Sequence, residues 1–204
     1  MTDIGNINQG ENGNTQVTLL RVDLGCGKNK KEGFLGVDRR KFDGVEIVLD
    51  ITKFKWPWEN DSVDEVHCSH FLEHLHHNQD KPERVKFMNE LYRVMKPEAK
   101  ATIITPHWAS CRAYGDFTHA DKPVSEFFWY YLSKEWRKVN APDNDIEWNP
   151  DGYSCNFECT WGYSLHPAIV PRNQEYQTHA MQFWKESCQD MICTLVKKVV
   201  PNVS

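Results

Sequence analysis

The chain has 204 residues, 40% hydrophobic and 26% charged, with a formal net charge of −5. These values suit a globular domain of ordinary size and exclude a disordered or fibrous chain. The negative balance argues against a dedicated nucleic-acid binder, which needs lysine and arginine to neutralise phosphates. Seven cysteines, an odd number without paired C-x-x-C spacing, suggest reduced thiols and a cytoplasmic setting. No apolar run approaches the roughly 18 residues of a membrane span.

Residues 1–15, rich in Asn, Gly and Gln, lack the apolar anchors that would offset their ordering entropy. They are expected to form a disordered tail ahead of one domain over 16–204. From Thr18, "TLLRVDL" alternates Leu20, Val22 and Leu24 and stops at Gly25-Cys26-Gly27, the pattern of a strand entering a tight turn. Further short strands are expected at 34–37, 45–49, 63–68 and 101–105. Between the last two, Val85, Met88, Leu91, Tyr92 and Met95 recur at helical spacing behind Pro82, which predicts an amphipathic helix. Beyond them, 125–136 reads as a helix, and 155–165 and 191–200 as two longer strands closing the sheet as an antiparallel pair. Strands separated by crossovers define an α/β class with a doubly wound, mostly parallel sheet. The stretch at about 107–150 is rich in Trp, Tyr and Phe and too long for a plain connection; it reads as an insert that shapes a substrate pocket.

In open parallel sheets ligands bind beyond the carboxyl ends of the strands. That rim carries Asp23, the Gly25-Cys26-Gly27 turn, Asp38, Asp50-Ile51, Ser69-His70 and Pro106-His107. Glycines at 25 and 27 let the backbone approach a ligand closely, and a carboxylate ending the next strand can accept both hydroxyls of a ribose. The combination suggests a nucleoside-containing cofactor.

Residues 67–77, "HCSHFLEHLHH", hold five histidines, and His70, Glu73 and His74 fit the H-x-x-E-H pattern of one class of zinc hydrolases. On a helix both histidines would share one face, with Glu73 beside them as a base. No third ligand stands at a recognisable spacing, so no metal is assigned. His76 and His77 read as exposed helix-end residues.

The stretches "VDLGCG", "GVD", "LDIT", "ENDSVDEVHCSHFLEHL" and "MNELYRVMKPEAKATIITPH" resemble, in order, the motifs of class I S-adenosylmethionine-dependent methyltransferases. The resemblance is strongest to the small bacterial and phage type 11 enzymes, and "DFTHADKP" at 116–123 is similar to a D-P-T-H segment in some of them. It implies a Rossmann-like sheet of seven strands, S-adenosylmethionine as cofactor, and methyl transfer to a small molecule or a sugar- or lipid-linked intermediate. It places Asp23 and the Gly25-Cys26-Gly27 turn at the methionine end of the cofactor and Asp38 on the ribose. Asp50 and Ile51 would border the adenine, with Ser69 and His70 near the transferable methyl. It implies no metal at "HFLEHL".

Three departures bear on these expectations. The third glycine and the long first helix are missing, so the first crossover should be short or irregular. Pro97-Glu98-Ala99 replaces a Pro-Gly-Gly turn and should alter a turn only. Cys68-Ser69-His70-Phe71 stands where an Asp/Asn-Pro-Pro-Tyr motif would indicate methylation of exocyclic base amines, which disfavours that substrate class. A sulfonium methyl is already activated, so an enzyme mainly aligns the acceptor, excludes water and receives its proton. His107, His119 and His70 are the candidate bases. A non-catalytic binder of S-adenosylmethionine or S-adenosylhomocysteine is the alternative.

Overall fold

The computed structural model describes residues 19–120, 122–142 and 152–199. The tail expected at 1–15 lies outside them, as do parts of the insert. Strands β1 (Arg21–Leu24), β2 (Leu35–Asp38), β3 (Val45–Val48), β4 (Val63–Ser69) and β5 (Met95–Pro106) run parallel. β6 (Phe157–Leu165) and β7 (Cys188–Lys197) join as an antiparallel pair, with β7 against β5. The order is β3-β2-β1-β4-β5-β7-β6, the seven-stranded, mostly parallel sheet expected from the sequence.

Helix α1 (Glu83–Val94) forms where its apolar spacing predicts and buries Val85, Phe87, Met88, Leu91 and Val94 in the core. Trp56 and Trp58 are buried there too. Trp56 lies edge-on to Phe87, its backbone N–H donates to Glu90 Oε1 at 2.6 Å, and its indole N–H donates to the Ile51 carbonyl at 3.0 Å. The Trp56 side chain thus both fills volume and satisfies a neighbour's carbonyl.

None of the three connections between β1 and β4 contains a helix. Only ten residues separate β1 from β2, fewer than a helical crossover needs. The loop closes that face of the sheet with polar contacts instead. The Lys31 N–H donates to Asp23 Oδ2 at 2.7 Å, and the Phe34 ring packs edge-on against His67. His67, paired beside Asp23 on β4, sets Nδ1 2.8 Å from Asp23 Oδ1. The irregular crossover expected from the missing third glycine is therefore present, and this acid–imidazole pair pins it.

α1 runs directly into β5, and Pro97-Glu98-Ala99 lies within that strand rather than in a turn. Glu98 takes φ +64°, a left-handed backbone that is costly with a Cβ. Glu98→Gly should therefore stabilise the fold by about 0.5–1 kcal/mol, the relieved strain exceeding glycine's larger unfolded-state entropy. A urea midpoint that moves up at unchanged slope is the expected reading.

The helix predicted over 125–136 is two helices, α2 (Glu126–Tyr130) and α3 (Lys134–Asn140). Ser133 breaks the run by capping α3, its Oγ accepting from the Trp136 N–H at 3.3 Å. Trp129 is fully buried in the core. Arg137, also buried, donates to the carbonyls of Tyr131, Tyr153 and Cys155 and so ties α3 to the chain entering β6. Helix α4 (Gln174–Phe183) buries only Ala180, and its sequence gives no apolar stripe to announce it. Among the described residues, no helix is long and apolar enough to cross a membrane.

Candidate active site

The carboxyl ends of β1, β2, β4 and β5 carry the residues singled out in the sequence. Gly25 and Gly27 bend the chain with φ +69° and +53°. The Gly25 and Cys26 N–H groups both donate to the Val37 carbonyl at the end of β2, at 2.8 and 3.2 Å, and the Gly27 N–H donates to Asp38 Oδ2 at 3.0 Å. The bend and the acid are thus in direct contact. A Cβ on Gly25 would meet the Phe71 ring at 2.7 Å, whereas one on Gly27 would meet nothing within 4 Å. Space for a ligand therefore lies on the Gly27 side, and Phe71 forms a wall on the Gly25 side.

Asp38 is 8% exposed and also accepts from the Arg40 N–H at 2.8 Å. A carboxylate has about four lone-pair sites, so two backbone donors leave room for ribose hydroxyls. Asp23 is fully buried and spends both oxygens on Lys31 and His67, which makes it a strut of the bend rather than a group facing open space. The Cys26 thiol is pushed up to about 11 by burial and by the nearby Asp23 and Asp38 carboxylates, so it stays protonated.

Asp50 turns back on its own loop, accepting from both the N–H and the hydroxyl of Thr52; the hydroxyl bond chiefly holds its pKa below the usual carboxylate range. Ile51 is 3% exposed and packed in the core beside Trp56, so its side chain offers no face to an adenine in this arrangement. Ser69 ends β4, half-buried beside Ile104.

The segment after β4 is not an α-helix. His70 takes φ +53° and precedes a single 3-10 turn over Leu72–His74, so the one-face geometry behind H-x-x-E-H does not form. His77 is not an exposed helix end either. Its ring packs edge-on to Phe128, and burial lowers its pKa to about 4.

His70 Nδ1 lies 3.2 Å from Glu73 Oε1 and Nε2 lies 4.0 Å from Asp190 Oδ1. The hydrogen bond to Glu73, opposed by partial burial, raises its pKa. Asp190 is held by Arg112 at 2.9 Å. His70 and His119 border one cavity of about 630 Å³, with Glu73, His74, Arg112 and Asp116 around them.

His107 belongs to a neighbouring cavity of about 590 Å³ lined also by Trp108, Glu126, Tyr163 and α4. It is buried. Its Nδ1 accepts from the Ala109 N–H at 3.3 Å, and its Nε2 stands 2.9 Å from Glu126 Oε1, so both nitrogens are engaged. Of the three candidate bases, His70 and His119 share one cavity and His107 lines another. His67, Arg112, Asp190 and Glu126 were not picked out in the sequence, because only strand pairing and the insert's path bring them to their partners.

A β3-β2-β1-β4-β5-β7-β6 sheet with a glycine bend meeting an acid at the end of β2 defines the class I S-adenosylmethionine-dependent methyltransferase fold. The family model described as methyltransferase domain matches residues 30–103. A SAM-dependent methyltransferase from Archaeoglobus fulgidus superposes with a TM-score of 0.56 at 21% identity, over 88% of this chain and 86% of that one. A 1,6-didemethyltoxoflavin-N1-methyltransferase from Burkholderia thailandensis gives a TM-score of 0.51 at 10% identity, over 88% and 71%. No curated protein matches the sequence. Residues 30–103 thus match a methyltransferase domain, and the chain has the fold of the S-adenosylmethionine-dependent methyltransferases. The open side of Gly27 lies next to the spare lone pairs of Asp38.

Proposed function

We propose that the enzyme methylates an oxygen or nitrogen of a small molecule, or of a sugar- or lipid-linked intermediate, held in the cavity at the ends of β4 and β5. The observation that carries this reading is the cavity of about 630 Å³ bordered by His70, the residue the motif series sets beside the transferable methyl. Its size suits one small ligand, and His70, Glu73, Arg112 and Asp116 offer it charged and hydrogen-bonding groups beside Pro106 and Phe117.

In this reading S-adenosylmethionine lies between the Gly25–Gly27 bend and Asp38 and supplies an activated methyl. Asp23 holds the bend in shape through Lys31 and His67. His70, oriented by Glu73 through Nδ1, turns Nε2 toward the cavity, where it takes the acceptor's proton as the methyl is transferred. Arg112 and Asp190 position the acceptor's polar groups, and Phe71 helps keep water away from the sulfonium.

The test is transfer from methyl-labelled S-adenosylmethionine into a cell extract resolved into small-molecule, lipid, nucleic-acid and protein fractions. Label in the small-molecule or lipid fraction is expected. His70→Asn, whose side chain tolerates the left-handed backbone, should lower kcat by about a hundredfold or more while cofactor affinity stays within a few-fold. Label in nucleic acid or protein alone, or an unchanged rate in that variant, contradicts the reading.

A further inference from the structure

We propose that Glu73, His74 and His119 together hold a divalent transition-metal ion of the zinc type. The ligand atoms of these three side chains all lie within 4.8 Å of one another. The third ligand that sequence spacing does not reveal is His119, 45 residues beyond His74 and brought across from the insert. A backbone hydrogen bond of 2.9 Å from the Ala120 N–H to the Glu73 carbonyl fixes the approach.

The surroundings of the two imidazoles are those of metal ligands. His74 Nδ1 faces the Thr118 carbonyl at 3.2 Å and the Thr118 hydroxyl oxygen at 3.1 Å. That hydroxyl gives its own proton to Asp116 Oδ1 at 2.7 Å, so it accepts from the imidazole. His119 Nδ1 donates to the Ala113 carbonyl at 3.3 Å. Both rings are thereby set in the tautomer that leaves Nε2 unprotonated, as outer-shell carbonyls do for metal-bound histidines. The rings meet edge to face with centroids 4.8 Å apart.

Glu73 is 4% exposed, and among the described residues its one ion-pair partner is His70. Thr105 donates to Oε2 at 3.2 Å and His70 faces Oε1, which orients the carboxylate and leaves lone pairs on both oxygens. A buried carboxylate beside two imidazole lone pairs is stabilised most by a cation, and two nitrogens with one oxygen suit zinc among common ions. Three protein ligands leave a coordination position open, and all three line the cavity that holds His70 and Arg112. An acceptor oxygen could take that position; this use rests on the methyl-transfer reading, whereas binding of the ion does not.

The test uses the full-length protein stripped with a chelator and titrated with zinc chloride by calorimetry, followed by the visible absorption of cobalt(II) as a second readout. One equivalent should bind. His74→Ala and His119→Gln should each weaken binding by more than about a hundredfold, beyond the loss typical of outer-shell changes. His179→Ala on α4 and Cys111→Ser should bind as the wild type does. Circular dichroism of the metal-free variants separates loss of ligands from loss of fold. No zinc binding by the wild type at millimolar concentration, or wild-type affinity in both ligand variants, overturns the proposal. Zinc binding without methyl transfer would leave it standing and remove the preceding reading; transfer without zinc binding would do the reverse.

Discussion

Replacing Asp38 with alanine should weaken S-adenosylmethionine binding by at least about a hundredfold. The carboxylate sits at the end of β2, tied to the Gly27 N–H at 3.0 Å and the Arg40 N–H at 2.8 Å, and is almost closed to solvent. Two backbone donors fix its orientation before any ligand arrives, so the bound ribose loses little to ordering the acid. Hydrogen bonds to a charged group contribute about 1.5–3 kcal/mol each, so losing two gives roughly 3–6 kcal/mol and a factor of a hundred upward. Asp38→Asn should lose less, since the amide oxygen still accepts. Isothermal titration of wild type and both variants reads the effect. Equal affinity in all three would place the ribose elsewhere.

The second large effect concerns stability. Arg137→Met should lower the free energy of unfolding by about 3 kcal/mol or more, because buried carbonyl groups lose their donor and each unsatisfied group costs about 1–3 kcal/mol. The guanidinium donates to the carbonyls of Tyr131, Tyr153 and Cys155, bridging α3 and the segment that leads into β6. Methionine preserves most of the volume, so the loss reports hydrogen bonding rather than a cavity. A denaturation midpoint within experimental error of the wild type would show that these carbonyls find water instead.

Much of the sheet was legible because its strands obey local rules. Leu20, Val22 and Leu24 alternate into a glycine turn, and α1 repeats its apolar residues with helical spacing, so β1 and the helix before β5 could be read directly. Elements whose shape is imposed from outside were not legible. β5 starts at Met95 through a segment containing Pro97 and a left-handed Glu98, which reads locally as a turn and becomes strand only by pairing. α4 buries a single alanine and leaves no periodic trace.

The site divides the same way. The contact between Asp38 and the bend follows from two adjacent parallel strands ending together, which the order of motifs implies. Ile51 instead turns inward because the Trp56 indole takes its carbonyl and the core takes its side chain. The Asp23–His67 pair depends on the register of β1 against β4, and the meeting of His74 with His119 depends on the path of a long insert. No linear spacing encodes either.

The most direct test of a nucleoside held between the Gly25–Gly27 bend and Asp38 is a titration with S-adenosylhomocysteine and its 2′,3′-dideoxyribose analogue, on the wild type and on Asp38→Ala. The expected result is tight binding of the natural ligand by the wild type, a large loss with the analogue, and almost no further difference between the two ligands once Asp38 is gone. Equal affinity of the wild type for both ligands, or no binding of either at millimolar concentration, would contradict it.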